Sequence, residues 1–222
     1  MTTESPLSVT RFFSILEGMG DTITSGPDLT SLFGTASGQH GYFTYAQARS
    51  SGVRDNLLAY HTETGKFIRV HRGVYRFRDY PSSPLEEVVA AWLAVGKEAA
   101  TVSHESALAL LELSDVIPNA IHLTVPRSKR NLPDLPGVKI HTTTRPLGPT
   151  DVTLREGIRI TSATRTILDT AEAGTAPDQV ELAIRQAIQR GLTTPRRLEK
   201  DARSRSRRVQ DLVRIALLPV AS

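Results

Sequence analysis

The sequence contains no cysteine. That absence removes disulfides, thiolate metal sites and cysteine nucleophiles, and it fits a reducing compartment such as the cytoplasm. No run of about 18 apolar residues occurs, so neither a transmembrane helix nor a membrane partner is expected. The opening residues MTTESPLSVTRFF lack a basic stretch followed by an apolar one, the pattern of a secretory signal. The GxxxxGK[ST] phosphate loop and the GxSxG nucleophile elbow are also missing. No carboxylate cluster suited to a catalytic metal stands out, so no enzyme activity and no cofactor are expected. Neither a solenoid-length repeat nor a long low-complexity tract is present.

What remains is a chain of 222 residues, suited to one large domain or two modest ones, with 39% hydrophobic residues to build a core. The net charge of +4 and isoelectric point near 9.6 permit nucleic-acid binding without requiring it. The distribution of charge says more than its sum.

Residues 41–78 read GYFTYAQARSSGVRDNLLAYHTETGKFIRVHRGVYRFR. Thr44 is placed to cap a short helix, Gly52 to supply a turn, and 54–63 to form a second helix ended by Gly65. KFIRV and GVYRF then alternate as two short strands joined at His71-Arg72-Gly73. A helix, a turn, a second helix and a basic hairpin make the order of a winged helix-turn-helix, in which one helix enters the major groove and the ribbon grips phosphate. Upstream, Asp28 caps a helix with Leu29, Leu32, Phe33 and Ala36 on one side. Residues 1–27 form an extension in which Val9, Phe12, Phe13 and Leu16 fit one side of a further helix.

The hairpin carries Lys66, Arg69, His71, Arg72, Arg76 and Arg78 with no carboxylate among them, a composition suited to phosphate rather than to an ordinary solvated ribbon. On the second helix, Arg54, Asn56 and Tyr60 are candidates for base or phosphate contact, because Arg pairs with guanine and Asn with adenine. Asp55 and Glu63 count against a uniformly attractive face.

A break at YPSSP separates the winged helix, 28–80, from a second domain, 84–222. There, Pro84 is placed at the first position of a helix whose core face holds Leu85, Val88, Val89, Trp92 and Leu93. SHESALALLEL, SATRTILDTAEAG and PDQVELAIRQAIQRG read as further helices, with Ser103 and Ser162 as caps of the first two. IHLTVP and VKIHTTT read as strands, and DVTLREGIRIT as a hairpin turning at Glu156-Gly157. Arg165 and Asp169, at i,i+4, fit a structural ion pair. His122 and His141 fall on adjacent strands with no evident third ligand, so no metal site is expected. Between 185 and 214, ten cations face three carboxylates, a local excess of +7 that exceeds the +4 of the whole chain. Arg196, Arg197, Arg203, Arg205, Arg207 and Arg208 form its densest part. Such a surface suits DNA, an acidic protein or plain solvation alike.

YFTYAQARSSGV, RGVYRF, SHESALALLEL, IHLTVP and GIRITSATRTILDTA together resemble the AbiEi-type antitoxins of bacterial type IV toxin–antitoxin systems, over roughly 29–217. The resemblance implies an α+β protein with an N-terminal winged helix and a larger mixed α/β antitoxin domain. It further implies that the winged helix binds inverted repeats in its own promoter DNA and represses the operon, while the second domain opposes a nucleotidyltransferase toxin. The recognition helix maps to 54–63 and the wing to 66–77. Arg54-Asp55 replaces the small hydroxyl residues usual at that helix start, so the operator is not inherited. Related proteins carry a nuclease-like C-terminal domain; the chain stops before one would begin, which favours the antitoxin. The alternative reading is a stand-alone winged-helix regulator whose second domain binds a ligand or dimerises.

Overall fold

A computed structural model describes residues 26–129, 132 and 134–218. The expected helical turn at Val9–Leu16 lies outside them. The chain divides into two compact units, 1–81 and 82–222.

The first unit runs α1 (Leu29–Ser37), β1 (Tyr42–Thr44), α2 (Tyr45–Ser50), α3 (Asp55–Glu63), β2 (Phe67–His71) and β3 (Val74–Phe77). Local chemistry sets each helix start. Asp28 Oδ1 accepts the Ser31 amide at 2.8 Å, capping α1. Thr44 and Gln47 form a reciprocal capping box at α2. Gly52 turns the chain between α2 and α3 with φ of +75°, a conformation that L side chains rarely adopt. The three strands form an antiparallel sheet in the order β1-β3-β2. β1 is too short for its alternation to show in the sequence.

One face of the sheet packs on the helices. Phe43, Phe67 and Phe77 are fully buried there with Leu32, Ala36, Ala48, Val53 and Leu58. Ring centroids of the three phenylalanines lie 4.9–5.2 Å apart. Each such side chain contributes about 1.5–3 kcal/mol by leaving water. Tyr80 closes the unit: its hydroxyl donates to the Ser37 carbonyl at 3.2 Å, and a Cβ on Gly41 would fall 2.3 Å from its ring.

The second unit holds α4 (Glu86–Val95), β4 (Thr101–Val102), α5 (His104–Leu110), β5 (Ile121–Pro126), β6 (Val138–Thr143), β7 (Val152–Arg155), β8 (Ile158–Thr161), α6 (Ala163–Ala173), α7 (Pro177–Gln189), α8 (Pro195–Ala202) and α9 (Arg207–Ala216). Its sheet has the order β6-β5-β4-β8-β7, with parallel pairs β5/β6 and β4/β8 and antiparallel pairs β4/β5 and β7/β8. The protein is thus α+β. α4 begins at Glu86, two residues beyond the expected Pro84; ahead of it the Glu86 amide donates to the Ser83 carbonyl to close a turn, the Ser83 hydroxyl accepts the Leu85 amide and the Glu86 carboxylate accepts the Ser83 amide. Ser103 and Ser162 occupy the N-cap positions of α5 and α6, but neither hydroxyl caps the helix. Ser103 instead meets the His104 ring.

Candidate functional site

Asp55, the first residue of α3, links that helix to α2. The Tyr45 hydroxyl donates to its carboxylate at 2.7 Å, and the Arg49 guanidinium lies 3.5 Å away. That bond raises the Tyr45 pKa. The negative charge of Asp55 is thereby engaged within the motif and sits favourably at a helix N-terminus. Arg54 occupies the N-cap position without capping the helix, and its side chain is exposed. Asn56 is also exposed, although its Oδ1 accepts the Leu57 amide at 2.9 Å. Tyr60 is 57% exposed further along the helix. Leu58 is buried and His61 packs edge-on against Phe67 at 5.0 Å, so the opposite side of α3 faces the core. Partial burial, then Lys66, lowers the His61 pKa.

The wing divides the basic residues into two groups. Arg69 and Arg72 are exposed, and among the described residues no ion pair or hydrogen bond engages their guanidinium groups. Lys66 and His71 are half-buried at its base and tip. Arg76 departs from the expectation. Only 8% exposed, its Nη1 donates to the Phe77 and Arg78 carbonyls and its Nη2 to those of Tyr80 and Pro81, at 2.8–3.3 Å. It pairs across the sheet with Tyr42 and its guanidinium carbon lies 5.7 Å from that ring. Arg76 sits on the sheet face away from the phenylalanines, where the outgoing residues fold back over it. It organises that segment and does not reach solvent. Arg78 likewise donates to the Gly65 carbonyl, tying the wing base to the end of α3.

Residues 33–78 match the family model described as AbiEi antitoxin, transcriptional regulator. The resemblance read from the motifs is thus shown over the winged helix. Over 84% of this chain and 74% of the other, the fold is similar to the crystal structure of the RV2827C protein from Mycobacterium tuberculosis, with a TM-score of 0.58 and 17% sequence identity. At that identity the likeness concerns fold alone. A sequence search of curated proteins gives no match.

Beyond the matched segment, the C-terminal basic run is largely consumed inside its own unit. Arg205 donates to Asp169 Oδ1 at 2.7 Å, while Arg165 donates to Asp169 Oδ2 at 2.7 Å, so one buried carboxylate holds two cations. The Arg165–Asp169 pair fits the structural reading, and Arg205, 36 residues on, was not visible as its partner. Arg208 donates to the Ala171 and Glu172 carbonyls at the end of α6, where the helix dipole favours a cation. Arg197 donates to the Thr150 carbonyl at 2.9 Å and lies 3.7 Å from Asp201. Arg207 is 3.9 Å from Asp211 but almost fully exposed. Arg196 and Arg203 are exposed and, among the described residues, without an ion-pair partner. The second basic surface shrinks to Arg196, Arg203 and Arg207.

The same fold brings three histidines together. His122 on β5 and His141 on β6 approach with Nδ1 and Nε2 3.1 Å apart. His104, at the start of α5, stacks on His141 with ring centroids 3.5 Å apart. One ligand atom from each lies within 4.8 Å of the others. His104 adopts φ of +52°, an uncommon conformation that a buried residue keeps only where its surroundings impose it. Burial, then His141 and His122, pushes its pKa down to about 2. Burial, then His122, pushes His141 down to about 4, and burial lowers His122 against the pull of Glu105. His104 and His141 line an open cleft of about 450 Å³ with Arg127, Arg165, Asp169 and Arg205.

Proposed function

We propose that the protein is an autoregulating antitoxin whose winged helix binds inverted repeats in its own promoter and whose second domain opposes a cytoplasmic nucleotidyltransferase toxin. The observation that carries this reading is the set of exposed cations Arg54, Arg69 and Arg72, without an ion-pair partner among the described residues, on the recognition helix and wing of a segment that matches an antitoxin regulator family. Arg54 at the helix start and the two wing arginines bracket the surface that a winged helix presents to duplex DNA. Lys66 and His71 border it, and Asn56 and Tyr60 are the neighbouring candidates for base contact. The division into units at residues 81 and 82 supports separate tasks, with regulation in 28–80 and toxin opposition in 84–222. No chemical step is assigned to the protein itself. Among the described residues no helix is long and apolar enough to cross a membrane.

This reading predicts that the adjacent gene encodes a nucleotidyltransferase toxin, and co-expression of the two tests it. Growth should be restored by the full chain and by residues 84–222, and not by 28–80. A full chain that binds its promoter yet leaves toxicity unchanged would favour a stand-alone regulator. The cleft in the second unit gives that alternative a place for a ligand.

A further inference from the structure

We propose that His104, His122 and His141 form a binding site for one divalent transition-metal ion of the zinc class, with its fourth coordination position facing the cleft. The inference goes beyond the antitoxin reading and does not depend on it. The three side chains come from α5, β5 and β6, so only the folded sheet assembles them. His122 and His141 lie on parallel neighbours, where Thr124 pairs with His141 and His122 with Lys139.

The spacing suits a metal. With zinc–nitrogen bonds of about 2.0–2.1 Å, two ligands of a tetrahedral site stand about 3.3 Å apart. His122 Nδ1 and His141 Nε2 are 3.1 Å apart. The third ligand atom lies within 4.8 Å of both, so a turn of the His104 ring out of its stack on His141 completes the trio.

The outer contacts are those a metal-bound histidine uses. Ligating imidazoles direct their other nitrogen to a carboxylate, carbonyl or hydroxyl, which fixes the tautomer. His104 Nδ1 meets Ser103 Oγ at 2.9 Å, and that hydroxyl accepts from Thr124 at 2.8 Å, leaving Nε2 of His104 for an ion. His122 Nε2 is buried without a hydrogen bond, and Glu105 stands 4.0 Å from it. A metal on Nδ1 keeps the proton on Nε2, directed at Glu105. A metal-free stack with one N–H···N bond explains the His122–His141 contact, and the Thr175 hydroxyl holds Glu105 Oε1 at 3.0 Å, but neither accounts for the left-handed His104 backbone or the unpartnered Nε2 of His122. Lys139 and Arg165 oppose a cation here, while Glu105 and Asp169 attract one.

An all-imidazole set selects zinc, cobalt, nickel or copper over magnesium or calcium. The open position faces Arg127, Arg165 and Arg205 across the cleft, a setting for an anionic oxygen such as phosphate or carboxylate.

The test uses the full chain, stripped with a chelator. Titration with zinc chloride by calorimetry should saturate at one ion per chain, and cobalt(II) should give the intense visible bands of tetrahedral coordination. Histidine nitrogen NMR of the wild-type chain, with and without zinc, needs no variant and should show three rings changing together. His141→Gln, at the half-exposed edge, should weaken zinc binding roughly 100-fold or more, and Glu105→Gln roughly 10–100-fold. Thermal melting of the metal-free variants checks that they fold. Absent saturable binding, binding undiminished in a folded His141→Gln, or unshifted imidazole nitrogens would each overturn the proposal.

Discussion

Replacing Arg76 with alanine is expected to destabilise the winged helix rather than to remove a phosphate contact. Its guanidinium serves four backbone carbonyls at 2.8–3.3 Å from a position only 8% exposed. A hydrogen bond to a charged group contributes about 1.5–3 kcal/mol net. The four bonds share two nitrogens, and the freed carbonyls of Tyr80 and Pro81 can regain water once the segment loosens. The expected loss is therefore about 2–4 kcal/mol. In a unit of this size that lowers the melting temperature by roughly 8–32 °C. Hydrogen exchange on the full chain measures it locally, as lost protection of the β2 and β3 amides. Arg76→Lys separates the alternatives, because lysine keeps the charge but not the planar fan of donors. A structural arginine tolerates neither change. Protection unchanged within about 0.5 kcal/mol in both variants, together with weaker DNA binding in the alanine variant alone, would refute the reasoning.

Asp169→Ala leaves Arg165 and Arg205 facing each other without their shared carboxylate and should cost about 3–5 kcal/mol, read from urea unfolding of the second unit. A loss below about 1 kcal/mol would mean that water already screens the trio. Acid should also weaken the second unit. His104 and His141 are held neutral by the fold, so their contribution is complete above the unfolded pKa near 6.5. It falls as pH drops, until about 4 for His141 and toward about 2 for His104. Each histidine adds at most about 1.4 kcal/mol per pH unit in that window, and the half-exposed His141 adds less. Urea midpoints between pH 7 and 5, with chelator present, should show a shallower slope for His104→Gln than for the wild type; parallel slopes would remove the histidines as the cause.

The parts of the fold written in contiguous residues were legible. Asp28 and Thr44 cap the helices where expected, Gly52 makes the turn, and the strand pairs about Gly73 and Gly157 form as hairpins. β1 and β4, at three and two residues, are too short for any period to show. The mixed order of the larger sheet follows from pairings far apart in sequence. The same distance hid the chemistry. Alternation in GVYRF sets Arg76 on one face of the sheet, but whether that face meets water depends on residues 78–81 folding back. Arg205, between α8 and α9, reaches Asp169 of α6 only through the tertiary fold of the unit. His104, taken alone on its helix, lacked the second histidine of a zinc helix. Its neighbours arrive from two strands, His122 lying 18 positions on and His141 a further 19.

The salt dependence of binding to the promoter duplex tests the regulatory claim most directly. Affinity for DNA from the chain's own upstream region is measured by fluorescence anisotropy between 50 and 200 mM salt, for the wild type and for Arg69→Ala/Arg72→Ala. Each phosphate contact adds about 0.9 to the slope of log affinity against log salt, so losing two flattens it by about 1.8 per bound protomer. Across that range the difference amounts to about 12-fold in affinity. A wild type that prefers its own promoter over unrelated duplex, with a slope flattened by this much in the double variant, is the predicted result. Superimposed slopes, or a wild type that binds no duplex in preference to another, would contradict it.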